Sequence, residues 1–116
     1  MAITSEIIGK LGGAGVDVIP VEGEVSGRSG SSEVLATIDV PAGETWLVAA
    51  IGQVSTGGSA SSHFPDFHLG DVQTPRVPSG THGLATTATG TISFSIKRNT
   101  GSGSDAFTGH VYTVKL

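Results

Sequence analysis

The residues of this chain whose types and spacing could do chemistry are concentrated in the stretch from residue 63 to residue 82. The hexapeptide HFPDFH at residues 63–68 brings His63, Asp66 and His68 close together in sequence, and Asp71 and His82 follow. Imidazole and carboxylate groups are ligands for zinc and for non-haem iron. On a regular strand, however, His63 and His68 point to opposite faces because they are five residues apart. Surface or intersubunit histidines are the simpler interpretation, so we predict no metal and keep His63, Asp66 and His68 as weak candidates.

Other catalytic and ligand-binding patterns are weaker still. The G-x-S-x-G pattern of a nucleophile elbow does not occur in the sequence. Residues 9–15, GKLGGAG, lack the spacing of a Walker loop and the strand that precedes one, which indicates a hinge. The acids are not arranged as the opposed pair of a glycoside hydrolase, and Asp66, Asp71 and Asp105 do not form a calcium-loop motif. The sequence therefore predicts no enzyme and no cofactor.

The composition excludes several further classes of protein. A length of 116 residues fits one domain. The absence of cysteine excludes disulfides and cysteine-based metal sites. Six basic residues against ten acidic ones give a net charge of -4, which has the wrong sign for binding nucleic acid. No apolar run approaches the roughly 18 residues of a membrane span, and the pattern of a signal peptide is missing, so the mature protein is expected to begin at or next to Met1.

The first residues predict a short helical arm on a glycine hinge. Residues 4–12 have a capping hydroxyl at their start and a glycine at their end, which is typical of a two-turn helix. Ile7, Ile8 and Leu11 would form one apolar stripe along it. Because a helix of this length is not stable alone, we expect the stripe to bind in an assembly interface.

After the arm, apolar and polar residues alternate with the period of β strands. The alternation is cleanest at residues 91–97, and it is also present at residues 34–40, where Val34 belongs to the apolar set. A bulge is expected at Pro20, and short or irregular edge strands are expected between residues 63 and 77. Glycine-rich turns recur at the interval typical of sandwiches, and nothing suggests a parallel sheet.

The predicted fold is therefore all-β, an antiparallel β-sandwich that is jelly-roll-like, with seven or eight strands. Residues 16–116 would form this sandwich domain, and residues 1–15 would form the helical arm and hinge that precede it.

The segment VPAGETWLVAAIG at residues 40–52 predicts a tight corner followed by a long strand. Pro41 and Gly43 suit a type II turn. The strand is apolar on both faces, so it is predicted to be central, or to lie between the core and a partner. Trp46, the only tryptophan, begins this strand and is the predicted core anchor, since burying it would remove about 150–250 Å² from water.

The corner motif and two later strands resemble small virion proteins of tailed bacteriophages. The stretches that carry the resemblance are residues 40–48, 90–96 and 108–112. The opening residues 1–13 are similar to the start of small minor tail proteins from phages of actinobacteria. The resemblance implies a non-enzymatic structural subunit, made in the host cytoplasm and carried in the phage particle. Its expected partners are copies of itself, as a trimer that buries the apolar stripe of the arm, and other virion proteins of the tail or capsid.

Two alternatives to the minor tail protein stay open at this point. One is a capsid decoration (cement) protein. The other is a carbohydrate-binding sandwich module that contacts a host-surface glycan, for which Trp46 or Tyr112 would be the stacking aromatic. Loops rich in Gly, Ser and Thr at residues 27–32, 57–62 and 99–105 would suit either a glycan or simple strand connections.

Overall fold

The computed structural model describes residues 17–28, 30–56, 64–98 and 102–116. These residues form eight strands and no helix: β1 (Asp17–Arg28), β2 (Ser32–Ile38), β3 (Trp46–Thr56), β4 (Asp66–Leu69), β5 (Val72–Thr74), β6 (Gly80–Ala88), β7 (Ile92–Lys97) and β8 (Ser102–Lys115). The predicted all-β class is confirmed. The predicted helical arm, with Ile7, Ile8 and Leu11, lies outside the described residues. Within the described ranges, no helix has the length and apolar character needed to cross a membrane.

The strands pair into two antiparallel sheets of four. Sheet I has the order β1-β8-β3-β6, and sheet II has the order β2-β7-β4-β5. Apart from the β4–β5 hairpin, each strand is followed along the chain by a strand of the other sheet. Side chains from both sheets contribute to one cluster of buried residues, so the arrangement is sandwich-like.

Three phenylalanines join the two sheets at the centre of this core. Phe67 and Phe94 come from neighbouring strands of sheet II and Phe107 comes from sheet I. The ring of Phe107 lies edge-on to both others, with centroids 5.7 Å from Phe67 and 5.0 Å from Phe94, and the Phe67 and Phe94 rings are stacked at 5.5 Å. Aromatic rings prefer these edge-to-face and offset arrangements, so the three rings hold the sheets together.

The corner before β3 has the predicted form. The backbone N–H of Glu44 donates to the carbonyl oxygen of Pro41 at 3.1 Å, and Gly43 has a φ of 83°, as a type II turn requires. Trp46 then begins β3, half-buried and packed against the core cluster. Its indole Nε1–H donates to Glu44 Oε1 at 2.8 Å, so the corner holds the ring in place. The prediction of a central strand is confirmed, because β3 lies between β8 and β6.

The expected bulge at Pro20 is wrong, because the pairing of β1 with β8 runs through Pro20 without a register shift. The irregularity lies in β2 instead, where Val34 pairs with Ser95 and Ala36 with Phe94, so that one extra residue stands between them. That residue, Leu35, contacts the position that a Cβ on Gly23 would occupy, which brings β2 against sheet I.

The bulge also reverses the face that Val34 occupies. Val34 is 56% exposed, whereas Ala36 and Ile38 further along the strand pack into the core. The expectation that Val34 belongs to the inward set is therefore wrong, since an extra residue in a strand exchanges the two faces on either side of it.

Between residues 63 and 77 the expected short strands are β4 and β5. Only β5 lies at an edge, because β4 pairs with both β7 and β5. The prolines at residues 65 and 75 stand just outside the strands, so neither removes a ladder hydrogen bond from a central strand.

Candidate functional site

The weak metal candidates are only partly within the described residues. Asp66 and His68 are alternate residues of β4 and therefore share its outer face, while His63 lies outside the described ranges. Asp66 Oδ1 accepts a hydrogen bond from the backbone N–H of Arg76 at 2.9 Å, so this carboxylate fixes the conformation of a loop. In the described part of the chain, no group of three or more His, Cys, Asp or Glu is placed to hold a metal ion.

The structure places the other candidate acids and the remaining histidine in separate surroundings. Asp71 is exposed in the turn between β4 and β5. His82 lies on β6, with Nε2 2.7 Å from the carbonyl oxygen of Pro78. Asp105 is buried, and its Oδ2 accepts a hydrogen bond from Arg98 Nη1 at 2.8 Å. Asp71 lies near His68, whereas His82 and Asp105 lie in other parts of the fold.

A depression of about 500 Å³ on the sheet II side is lined by the residue types that a nucleophilic catalytic site would need, namely a histidine, an aspartate and two serines. His68, Asp71, Ser93 and Ser95 all line it, and His68 is paired directly opposite Ser95. Nucleophilic catalysis needs a hydroxyl within hydrogen-bond reach of its base. Among the described residues, His68 makes a hydrogen bond to neither Ser95 nor Asp71. We therefore interpret the depression as polar surface.

The buried Arg98–Asp105 ion pair joins two chain connections. The backbone N–H of Arg98 donates to the carbonyl oxygen of Ser31 at 2.7 Å, and the N–H of Gly30 donates to the Arg98 carbonyl oxygen at 2.9 Å. The turn between β1 and β2 is thereby tied to the end of β7, and the side chain of Arg98 ties the same point to β8. Both side chains are almost completely buried, so the pair has a structural role.

The two sheets differ in the character of their outer faces. The outward residues of sheet II are mainly polar, as is usual for an antiparallel sheet with one face in water. They are Ser32, Thr37, Asp66, His68, Gln73, Ser93, Ser95 and Lys97, with Val34 as the apolar exception.

In the middle of the outward side of sheet I, strand register arranges twelve residues in three rows of four, of which the first two are mainly apolar and the third is polar. From β1 to β6, the rows are Val18, Tyr112, Ala49 and Ala85; Pro20, His110, Ile51 and Gly83; and Glu22, Thr108, Gln53 and Thr81. We call these residues the outer face. On β3 they alternate with the buried Val48 and Ala50, so the first half of β3 is apolar on both sides.

The side chains of the outer face differ in size from one edge of the sheet to the other. Its β1 and β8 half carries bulky side chains such as Tyr112 and His110, whose ring centroids are 6.1 Å apart. Its β6 column carries only Thr81, Gly83 and Ala85. A trough of about 610 Å³ crosses the face, lined by residues of all four strands.

Sequence reasoning found part of this surface and missed the rest. The apolar residues on both sides of β3 had two interpretations, a central strand or a strand that lies between the core and a partner. The other columns of the outer face were missed because their residues are ordinary surface residues until register aligns them with β3. No protein-family model, no curated protein and no solved structure matches this chain.

Proposed function

We propose that this chain is a non-enzymatic structural subunit of a tailed-phage virion, a minor tail protein of the tail tip, baseplate or fibre region, which assembles with copies of itself. We also propose that its fold is a jelly roll. The order β1-β8-β3-β6 against β2-β7-β4-β5 supports this, because it is the order obtained when eight strands wind as two Greek keys.

The observation that carries the functional proposal is that sheet I is apolar on its inner side and over the first two rows of its outer face. The inner side fills the core, and the outer face leaves Val18, Ile51 and Tyr112 on the surface of a single chain. Contiguous apolar surface on a soluble chain marks an interaction site. A subunit that completes its burial against neighbouring copies is what a symmetric particle requires.

The resemblance at residues 40–48, 90–96 and 108–112 supplies the virion setting. The corner that carries it is built around the turn at Pro41 and Gly43, which directs the chain into the central strand of sheet I. The resemblance thus includes the strand whose outer residues we assign to assembly. Other virion proteins of the tail or capsid are the remaining proposed partners.

The test is quantitative mass spectrometry of particles purified from the phage whose genome encodes the chain. The proposal expects peptides of this protein in the particle, in a copy number of dozens or fewer that fits the symmetry of a tail. A copy number in the hundreds would assign the chain to capsid decoration instead. Purified particles without any peptide of this chain would contradict a virion role.

A carbohydrate-binding module is the second candidate, and one observation favours it. The trough on the outer face has Tyr112 and His110 beside Gln53 and Thr81, which offers a ring and hydrogen-bonding groups to a sugar. Trp46 is engaged with Glu44 and the core, so Tyr112 is the stacking residue in this candidate. Binding on a glycan array that Tyr112→Ala abolishes and Ser95→Ala preserves would favour it, and no binding by the unmodified protein would exclude it.

A further inference from the structure

We propose that the outer face of sheet I binds the same face of a second copy of this chain, about a two-fold axis that runs parallel to the strands between β8 and β3. The inference rests on the proposed function, which requires self-association, and it assigns the surface, the partner and the symmetry.

The charge of the outer face favours a second copy over other occupants. Glu22 is in the third row, Glu24 follows it on the outward side of β1, and no Lys or Arg stands in the three rows. A nucleic acid or an anionic lipid surface would need basic residues here. A face whose carboxylates are confined to its β1 margin can instead meet a copy of itself, provided that the two β1 strands lie apart.

The relief of the face selects the orientation of the second copy. The sheet order is β1-β8-β3-β6, so an axis between β8 and β3 places each β8 over β3 of the second copy and each β1 over its β6. In the first row, Tyr112 then lies over Ala49 of the second copy and Val18 lies over Ala85. Large side chains thus meet small ones, which is the complementarity that packed interfaces need.

The same operation treats the other two rows in a compatible way. In the second row, Pro20 lies over Gly83 of the second copy, and His110 lies over Ile51, so a large side chain meets a small one only in the first of these pairs. In the third row, Glu22 lies over Thr81, so the two carboxylates stand at opposite margins of the interface. A two-fold axis perpendicular to the strands would instead place β1 over β1 and β8 over β8, so that the bulky half of each face would meet the bulky half of the other.

The size of the face sets the expected strength of binding. Four strands about 4.8 Å apart and five residues at about 3.3 Å each give a flat area of about 300 Å² per copy. A standard interface buries about 800 Å² per partner. We therefore expect a weak, concentration-dependent dimer in solution, which many copies held in one particle would strengthen.

Sedimentation velocity over a wide range of protein concentration tests the surface. The unmodified chain is expected to shift from monomer to dimer as concentration rises. Ala49→Arg, in the centre of the face, is expected to weaken dimerisation by about tenfold or more, because it places an unpaired charge in an apolar contact. Ser95→Arg, on the outer face of sheet II, is the matched control and should dimerise as the unmodified chain does. Circular dichroism checks that both variants are folded.

Cross-linking tests the symmetry, since the chain contains no cysteine of its own. Val18→Cys and Ala85→Cys introduce single thiols on β1 and β6. With a short bismaleimide, a mixture of the two variants should form far more linked dimer than either variant alone, and Ser95→Cys should form little. Efficient linking by Val18→Cys alone would overturn the proposed axis.

Several results would overturn the assignment of the outer face as the dimer interface. They are a monomer at every concentration, a dimer that Ala49→Arg leaves unchanged, or the trimer that the resemblance implies, because a two-fold axis produces a dimer. A Val18→Cys thiol in the monomer that maleimide cannot reach would show that the chain covers this face itself, which also overturns the proposal. Failure here is distinguishable from failure of the proposed function, because the copy number in the particle is measured independently. If the chain were present in virions but monomeric in solution, the proposed dimer would be contradicted and the proposed virion function would not.

Discussion

Gly52 and Gly109 lie directly opposite each other in β3 and β8, and the ring of Phe107 packs over both from the core side. A Cβ on Gly52 would lie 2.5 Å from the Thr108 carbonyl oxygen and 2.6 Å from Phe107 Cζ. A Cβ on Gly109 would meet the carbonyl oxygen of Ile51. Both of these backbone contacts are closer than the distances that real Cβ atoms show. The absence of side chains at Gly52 and Gly109 therefore leaves the space in which the ring of Phe107 packs into the aromatic cluster.

Replacing either glycine with alanine is therefore expected to destabilise the fold. For Gly52→Ala and for Gly109→Ala we expect a loss of about 1–3 kcal/mol in the free energy of unfolding, because backbone must move to relieve the overlap. Urea unfolding followed by the fluorescence of Trp46 measures it. Gly90→Ala is the matched control: nothing lies within 4 Å of its Cβ position, so no loss is expected. Equal effects at Gly52 and Gly90 would contradict this account of the glycine pair.

The Arg98–Asp105 ion pair is expected to be intolerant of the loss of one partner. Asp105→Asn leaves the buried guanidinium of Arg98 without its countercharge, at a cost of about 3–5 kcal/mol. The double variant Arg98→Met with Asp105→Leu is expected to lose less than either single change, because neither charge then remains buried. Denaturant unfolding of Arg98→Met, of Asp105→Leu and of the double variant gives the coupling between the two positions.

The exposed Lys115–Glu44 pair is the control for this prediction. Its nitrogen–oxygen distance is 3.9 Å and its lysine is 60% exposed. Lys115→Met should therefore change stability by less than about 1 kcal/mol. If additive losses were found at Arg98 and Asp105, the two side chains would be acting independently and the ion pair would not explain the stability.

Trp46 is expected to contribute to stability mainly through its ring and secondarily through its hydrogen bond to Glu44. Trp46→Ala should cost about 3 kcal/mol, the low end of the range for removing a packed tryptophan, because the side chain is only half-buried. Trp46→Phe keeps an aromatic ring and loses the indole donor, so a cost of about 1 kcal/mol is expected. Thermal unfolding by circular dichroism measures both. A loss below about 1 kcal/mol for the alanine variant would mean that the ring is not a core anchor.

Asp66 is expected to stabilise the loop that contains Arg76. Arg76 has a φ of 55°, a left-handed conformation that is uncommon for residues other than glycine, and Asp66 accepts its backbone N–H. Asp66→Ala should cost about 1 kcal/mol through loss of this acceptor, whereas Asp66→Asn retains an acceptor oxygen and should cost less. Equal losses in the two variants, measured by urea unfolding, would show that the hydrogen bond is not the cause.

The local features of the fold could be predicted from sequence because their causes are local. The turn at Pro41 and Gly43 needs only a glycine at the right position, and the two-sided apolarity of β3 marks a central strand wherever its neighbours come from. The bulge at Leu35 could not be found in this way. It depends on which residues of β7 lie opposite β2, and that pairing is set by contacts distant in sequence.

The candidate surface shows the same limit. Val18, Ala49, Ala85 and Tyr112 are ordinary residues in their own segments, and none carries a motif. They become one row only because β1, β8, β3 and β6 pair in a particular register. The acids and histidines of residues 64–82 lie close together along the chain, but this does not by itself bring them together in the fold: His68 and Asp71 line one depression, and His82 lies elsewhere.

The pairing of β1 with β8 also bears on how the chain is made. The first and the last of the described strands are neighbours in sheet I, so that sheet cannot be completed until the ribosome has released the residues of β8. Until then β3 and β6 have apolar surface and open edges exposed, the condition in which nascent chains aggregate. Folding is therefore expected to be slow for a chain of this size, because its contacts join residues far apart in sequence. A product that stops short of β8 would be left with no partner for β1.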